Sequence, residues 1–123
     1  MTGVLVLCDD LMFTSKVTGT GRALGIPVAL ARTATAAIQR ATATPPACVL
    51  VDLHNPGLDV AQLLSELRAT CPAMPRVIGF GSHVDVDTLK AARKAGCDQV
   101  MPRSQFSQVL EARLAEWAAP VTS

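Results

Sequence analysis

The chain alternates short apolar runs with longer amphipathic segments about five times, and this alternation limits its fold more than any other feature. An uninterrupted apolar run is typical of a strand that is buried on both faces of a parallel sheet. Strands that alternate with helices predict an α/β fold with helices on both sheet faces and all strand C-termini at one edge. The predicted strands are residues 3–8, 28–31, 47–53, 76–80 and 98–101.

Acidic and hydroxyl side chains mark where several of the predicted helices begin. Asp10 lies at the start of the first helix, where the helix dipole favours a carboxylate. Asp85 or Asp87 begins the fourth helix. Ser104 or Ser107 is the predicted N-cap of the last helix, after a short loop.

Glycines mark where two of the helices end. Gly25 is the predicted end of the first helix and Gly96 that of the fourth, because glycine readily adopts the left-handed conformation that closes a helix. Gly19 and Gly21 are expected to weaken the second half of the first helix.

Length and composition predict one domain over residues 1–123, with an ordered core at about residues 3–118. Apolar residues make up 50% of the chain and charged residues 17%, which excludes a disordered chain. A formal charge of +1, the lack of a long basic run and 3% aromatic residues argue against nucleic-acid binding. The apolar run at residues 4–8 is too short for a signal peptide or a membrane span, so we expect a cytoplasmic protein without a membrane partner.

The cysteines are spread along the chain and form no CxxC pair. Cysteine is among the most buried residue types, so the spacing favours small buried residues over a metal site or a disulfide. The four are Cys8, Cys48, Cys71 and Cys97.

Polar residues follow most of the predicted strands at the edge where their C-termini meet. Asp9 and Asp10 follow the first strand, and Asp52 lies near the end of the third. Taken separately, the acidic pair is equally well read as a helix cap and Asp52 as a polar strand end. Three carboxylates in one crevice repel one another and need a cation, and Mg²⁺ prefers such oxygen ligands. The fourth and fifth strands add Gly81, Ser82, His83 and Arg103.

These residues resemble the receiver domain of two-component response regulators over residues 4–117, in an atypical form. The similarity rests on the acidic pair, Asp52, the Pro56-Gly57 loop and the segment 95–98 before the last strand. It implies a flavodoxin-like, doubly wound sheet of five parallel strands in the order 2-1-3-4-5 with about five helices.

The resemblance also implies a site and its partners. Asp9, Asp10, Asp52 and the backbone carbonyl of His54 would hold Mg²⁺, and Asp52 would be the phosphoacceptor. A histidine kinase or phosphotransfer protein would supply the phosphoryl group. Phosphate-binding groups would come from Arg103, Ser82 and Gly81.

Several positions depart from the pattern of that family. Gly81 stands where the family has Ser or Thr, and Ser82 follows one residue late. Arg103-Ser104 replaces Lys-Pro, and Arg binds phosphate with a planar fork instead of a point charge. Val100 replaces the aromatic residue that moves with the switch. The acceptor residues are therefore largely kept, while the residues that read phosphorylation are largely changed.

Both histidines are expected near the same edge of the sheet. The simpler interpretation makes His54 and His83 polar loop residues. The alternative is that His54 modulates the lifetime of the phosphoryl group, or that His83 responds to pH.

Three functions remain open from the sequence. The first is a stand-alone, non-enzymatic receiver in a phosphorelay, with output through an unidentified downstream protein. The second is a pseudo-receiver, an interaction module that signals without phosphorylation. The third, a Mg²⁺-dependent phosphohydrolase, is disfavoured because His54 occupies the place of its second acid. A homodimer through the last helix, near Trp117, is a further arrangement to consider.

Overall fold

The computed structural model describes residues 3–120, so both ends of the predicted domain 1–123 lie outside the described residues. Five parallel strands form one sheet in the order β2-β1-β3-β4-β5, which confirms the predicted flavodoxin-like fold. The elements are β1 (Val4–Leu7), α1 (Leu11–Leu24), β2 (Val28–Ala31), α2 (Ala34–Ala43), β3 (Cys48–Asp52), α3 (Val60–Thr70), β4 (Arg76–Gly81), α4 (Val86–Ala95), β5 (Gln99–Pro102) and α5 (Arg103–Ala118).

Two apolar cores cover the two faces of the sheet. In β1, Val4 and Val6 face the core formed with α1 and α5, whereas Leu5 and Leu7 face the core formed with α2, α3 and α4. Successive side chains of a strand point to opposite faces, so an uninterrupted apolar strand supplies both cores. All five residues of β3 are buried, and the central strand therefore ends in a buried acid, Asp52.

The predicted helix boundaries at acidic caps and glycines are largely confirmed. Asp10 caps α1, because its Oδ1 accepts hydrogen bonds from the N–H groups of Met12 at 3.0 Å and Phe13 at 3.3 Å. Asp85, not Asp87, caps α4. Gly25 ends α1 with a φ of 72°. These contacts satisfy backbone groups that the ends of a helix leave unpaired.

The boundary between the last strand and the last helix differs from the prediction. Strand β5 begins at Gln99, one residue later than predicted, and the carboxylate of Asp98 just before it accepts a hydrogen bond from Val77 N–H at 2.7 Å. Helix α5 begins at Arg103 directly after Pro102, which makes no side-chain cap. The predicted loop and the predicted caps at Ser104 and Ser107 are therefore wrong. A proline fits the turn because its fixed φ and missing N–H cost nothing before a helix.

The first helix continues through both of its internal glycines. Gly21 is buried against β2, and a Cβ there would lie 2.5 Å from Val28 Cγ2 and 2.9 Å from the Ile26 carbonyl oxygen. Gly19 is exposed, and a Cβ there would meet nothing within 4 Å. Glycine is therefore required at position 21 because of tertiary packing, although it is a weak helix former.

The remaining single-residue predictions concern burial. All four cysteines are buried and carry free thiols, in agreement with their prediction as buried residues. Trp117 is 1% exposed and stacks on Phe106 with ring centroids 5.7 Å apart, which places it in the core and not on a dimer surface. Among residues 3–120, no helix combines the length and apolar character needed to cross a bilayer.

Alanine substitution at the two glycines of α1 should have opposite effects. We expect Gly21→Ala to lower the free energy of unfolding by about 1–3 kcal/mol, because the added methyl group collides with β2. Gly19→Ala makes the same change in helix propensity, but its methyl group meets no neighbouring atom. It should therefore raise the free energy of unfolding by about 0.5–1 kcal/mol. Urea unfolding followed by circular dichroism measures both. Equal effects of the two variants would contradict close packing at Gly21.

Candidate functional site

The buried carboxylate of Asp52 lies at the C-terminal end of the central strand. Its side chain is 7% exposed. Asp52 Oδ1 accepts a hydrogen bond from the backbone N–H of His54 at 2.9 Å, and Oδ2 contacts Arg103 Nη2 at 2.9 Å. A buried carboxylate is tolerated when hydrogen bonds and a cation compensate for lost water, and both are present here.

Arg103 bridges two of the three predicted carboxylates. Its Nη1 lies 3.2 Å from Asp10 Oδ2, while its Nη2 contacts Asp52. The guanidinium also stacks over Phe13, 4.9 Å from the ring centroid, and lies 5.6 Å from that of Phe80. The planar fork of arginine suits two acceptors, and aromatic faces attract its charge. Its place as the first residue of α5 brings this side chain to the ends of β1 and β3.

Asp9 does not join this cluster. Its Oδ1 lies 3.5 Å from Arg32 Nε, and both side chains are more than half exposed. Asp10 faces the cluster because its other oxygen caps α1. Within the described part of the chain, no three His, Cys, Asp or Glu side chains form a group that could hold a metal ion.

The donor set nevertheless suits magnesium. Asp10 and Asp52 each direct their Oδ2 atom at the same guanidinium, so both carboxylates face one cationic group. Magnesium is usually held by one or two carboxylates, with waters or phosphate as the other ligands. These two carboxylates satisfy that requirement without Asp9, whose exposed pair with Arg32 is weak.

The ring of His54 fills the space beside Gly81. A Cβ at position 81 would lie 2.9 Å from His54 Nε2 and 3.3 Å from its Cδ2. The same Nε2 accepts a hydrogen bond from Ser82 N–H at 2.8 Å, so the neutral ring carries its proton on Nδ1. Nδ1 lies 3.9 Å from Asp85 Oδ2. Glycine at the end of β4 therefore has a structural reason.

The other residues predicted for the site lie around its edge. The hydroxyl of Ser82 accepts a weak hydrogen bond from Val84 N–H at 3.4 Å within its own loop. His83 is exposed in the same loop, as the simpler interpretation of that residue expects. Val100 is half-buried in β5.

The sequence did not reveal that Cys8 contacts Asp52. Cys8 Sγ lies 3.5 Å from Asp52 Oδ2. Burial raises the pKa of the Cys8 thiol to about 11, so the thiol stays protonated at neutral pH and can donate its hydrogen. The available signal was its position directly before the acidic pair, at the end of an apolar strand.

Replacing each of the two arginines at this edge in turn should show that a buried ion pair contributes more to stability than an exposed one. Arg103→Gln leaves the Asp52 carboxylate buried without its cation, and should lower the free energy of unfolding by about 1–3 kcal/mol. Arg32→Gln removes the same charge from an exposed pair, and should cost about 0.5 kcal/mol or less. Adding Asp52→Asn to Arg103→Gln should recover part of the loss. Equal losses in the two single variants, measured by urea unfolding, would refute the role of Arg103.

Comparison with known proteins gives structural matches without sequence matches. No protein-family model matches the chain, and a search of curated proteins finds no significant match. The receiver domain of NtrX from Brucella abortus matches with a TM-score of 0.78 and 21% identity, over 94% of this chain and 97% of that one. The signal receiver domain of NarL from Mycobacterium tuberculosis gives 0.77 and 22% identity, over 95% of each chain.

A longer NtrX structure from Brucella abortus matches with a TM-score of 0.79 and 24% identity. The match covers 95% of this chain and 26% of that protein, so the chain spans about a quarter of the longer NtrX. The likeness to the separate receiver domain shows which part is shared. The chain has the fold of response-regulator receiver domains.

Proposed function

We propose that this chain is a receiver-like signalling domain that accepts a phosphoryl group on Asp52. The observation that carries the proposal is the cluster of Asp10, Arg103 and Asp52 at the C-terminal edge of the sheet. In open α/β sheets this edge is where ligands bind. A carboxylate beside a cation and a second acid has the nucleophile, the charge compensation and the metal-binding oxygen that phosphoryl transfer requires.

The transfer forms one bond and breaks one. A carboxylate oxygen of Asp52 attacks the phosphorus of a phosphohistidine, and a new P–O bond forms as the P–N bond breaks. The leaving imidazole keeps the bonding electron pair and gains a proton. The product carries a charge of roughly −1.5 to −2 at pH 7 if it resembles phosphoesters. Arg103, at 2.9 Å from Oδ2, is placed to offset that charge.

Bound magnesium would supply further compensation for the negative charge of the phosphoryl oxygens. Asp10, Asp52 and the backbone carbonyl of His54 would hold it, with Asp9 available if it leaves Arg32. The guanidinium of Arg103 already compensates Asp10 and Asp52. The chain therefore keeps part of the negative charge of its acidic cluster compensated before any phosphoryl donor binds.

Arg103 must loosen its contact with Asp52 before the carboxylate can react. Asp52 Oδ2 faces both Arg103 and the Cys8 thiol, and the side chain is 7% exposed. We therefore expect slow labelling by small phosphodonors and faster transfer from a protein donor. The donor is a histidine kinase or phosphotransfer protein, the output is binding to a downstream protein, and the expected location is cytoplasmic.

A second candidate function is a pseudo-receiver that binds a partner without phosphorylation. It is favoured by the same ion pairs, because Arg103 satisfies Asp52 and Asp10 without a phosphoryl group. The ring of His54 also occupies the backbone N–H of Ser82. The phosphohydrolase alternative finds no support at position 54, where a histidine bound to Ser82 replaces the second acid.

Labelling with acetyl phosphate tests the proposal. With millimolar magnesium, the intact mass should increase by one phosphoryl group, and hydroxylamine should remove the label because an acyl phosphate is labile. Asp52→Asn should abolish the label. Asp59→Asn is the matched control, since Asp59 caps the neighbouring helix α3 and should leave labelling unchanged.

Two results would decide against phosphorylation. Equal labelling of Asp52→Asn and the unmodified chain would place the label elsewhere. No label on the unmodified chain, and no magnesium-dependent shift of amide signals with beryllofluoride, would favour the pseudo-receiver. Repeated turnover of a phosphate ester would instead support a phosphohydrolase.

A further inference from the structure

The contact between His54 and the end of β4 joins two loops that are distant in sequence. His54 follows β3, while Gly81 ends β4 and Ser82 begins the next loop. The imidazole accepts the Ser82 N–H at 2.8 Å across 28 residues of sequence. We name this hydrogen bond the His54 link. It is a specific contact, because 2.8 Å is a short distance for an N–H donor.

The His54 link depends on the absence of a side chain at position 81. A Cβ there would lie 2.9 Å from Nε2, closer than such atoms approach in proteins, and 3.4 Å from Leu89 Cδ2. A side chain at position 81 would therefore require the imidazole to move from this position. His54 and Gly81 form a reciprocal pair, in which a large residue on one loop fills the space left by the other.

The same residue also contacts the proposed acceptor. The backbone N–H of His54 donates to Asp52 Oδ1 at 2.9 Å, while its ring holds Ser82. A short path thus runs from the Asp52 carboxylate through one residue to the loop after β4. That loop contains Val84, which is 73% exposed, and leads to Val86, the first residue of α4, which is 50% exposed.

We infer that His54 is a positioning residue that transmits the state of Asp52 to the loop after β4, in place of a side chain at position 81. The inference rests on the proposed phosphorylation of Asp52 and deepens it. A phosphoryl group on Asp52 changes the charge and acceptor strength of the oxygens that face His54 N–H. The backbone of His54 then shifts, and this changes the hydrogen bond that the ring accepts from Ser82 N–H.

The first experiment tests the His54 link itself. Hydrogen exchange of the Ser82 amide, measured by NMR on the whole chain, should accelerate about tenfold in His54→Ala, because one hydrogen bond is lost. His83→Ala is the matched control, since His83 is exposed in the same loop, and should leave the exchange unchanged. His54→Gln should restore part of the protection, because its amide oxygen can accept the same hydrogen bond.

A double-mutant cycle tests the reciprocal pair. Gly81→Ala should displace the imidazole and accelerate Ser82 exchange as strongly as His54→Ala. In the variant with both substitutions, the second change should add almost nothing, because the link is already absent. Independent, multiplying effects of the two substitutions on exchange would overturn the reciprocal pair.

The last experiment tests transmission. Magnesium and beryllofluoride should shift the amide signals of residues 52–54 and 82–86 in the unmodified chain and in His83→Ala. In His54→Ala, the shifts near Asp52 should persist while those of residues 82–86 shrink at least several-fold. Unchanged shifts of that loop in His54→Ala would overturn the inference.

Failure of the proposed function would give a different result from failure of the inference about His54. If the unmodified chain shows neither a label from acetyl phosphate nor a beryllofluoride response, phosphorylation and its transmission are both refuted. The exchange experiments then still decide whether the His54 link exists. If His54→Ala does not fold, Gly81→Ala decides instead, because its added Cβ displaces the imidazole: reduced shifts in residues 82–86 support transmission and unchanged shifts oppose it.

Discussion

The guanidinium of Arg103 lies between Asp10 and Asp52 and ties together the start of α1, the end of β3 and the start of α5. A buried carboxylate at the end of the central strand is costly without such a cation, because burial removes its contact with water. The rings of Phe13 and Phe80 hold the guanidinium in place. One side chain therefore keeps the acidic edge of the sheet compact and offsets part of its negative charge.

The surroundings of Asp52 combine features kept from the receiver pattern with features particular to this chain. The strand-end acid and its cation remain, although the cation is arginine. The Cys8 thiol at 3.5 Å and the His54 ring beside Gly81 are arrangements of this chain's own residues. The ring of His54 occupies the space at the end of β4. The glycine at position 81 therefore not only lacks a hydroxyl group but also makes room for that ring.

Local patterns in the sequence predicted most of the fold. Apolar runs and helix caps depend on neighbouring residues, so the sheet and the caps at Asp10 and Asp85 could be predicted. The start of α5 could not be predicted. Ser104 and Ser107 both looked like N-caps, whereas the chain turns directly into the helix after Pro102. Likewise, the prediction that Gly21 weakens α1 used helix propensity alone. It could not include the close packing of Gly21 against β2, which depends on the tertiary structure.

The sequence by itself determined the α/β alternation, the positions of the acids at strand ends and the departures at Gly81 and Arg103. The tertiary structure decided which of these charges meet. Arg103 lies 93 residues from Asp10 and 51 from Asp52, and His54 lies 28 from Ser82. Nothing local fixes such pairs, because side-chain direction, the register of five strands and the space left by a glycine select the partners together.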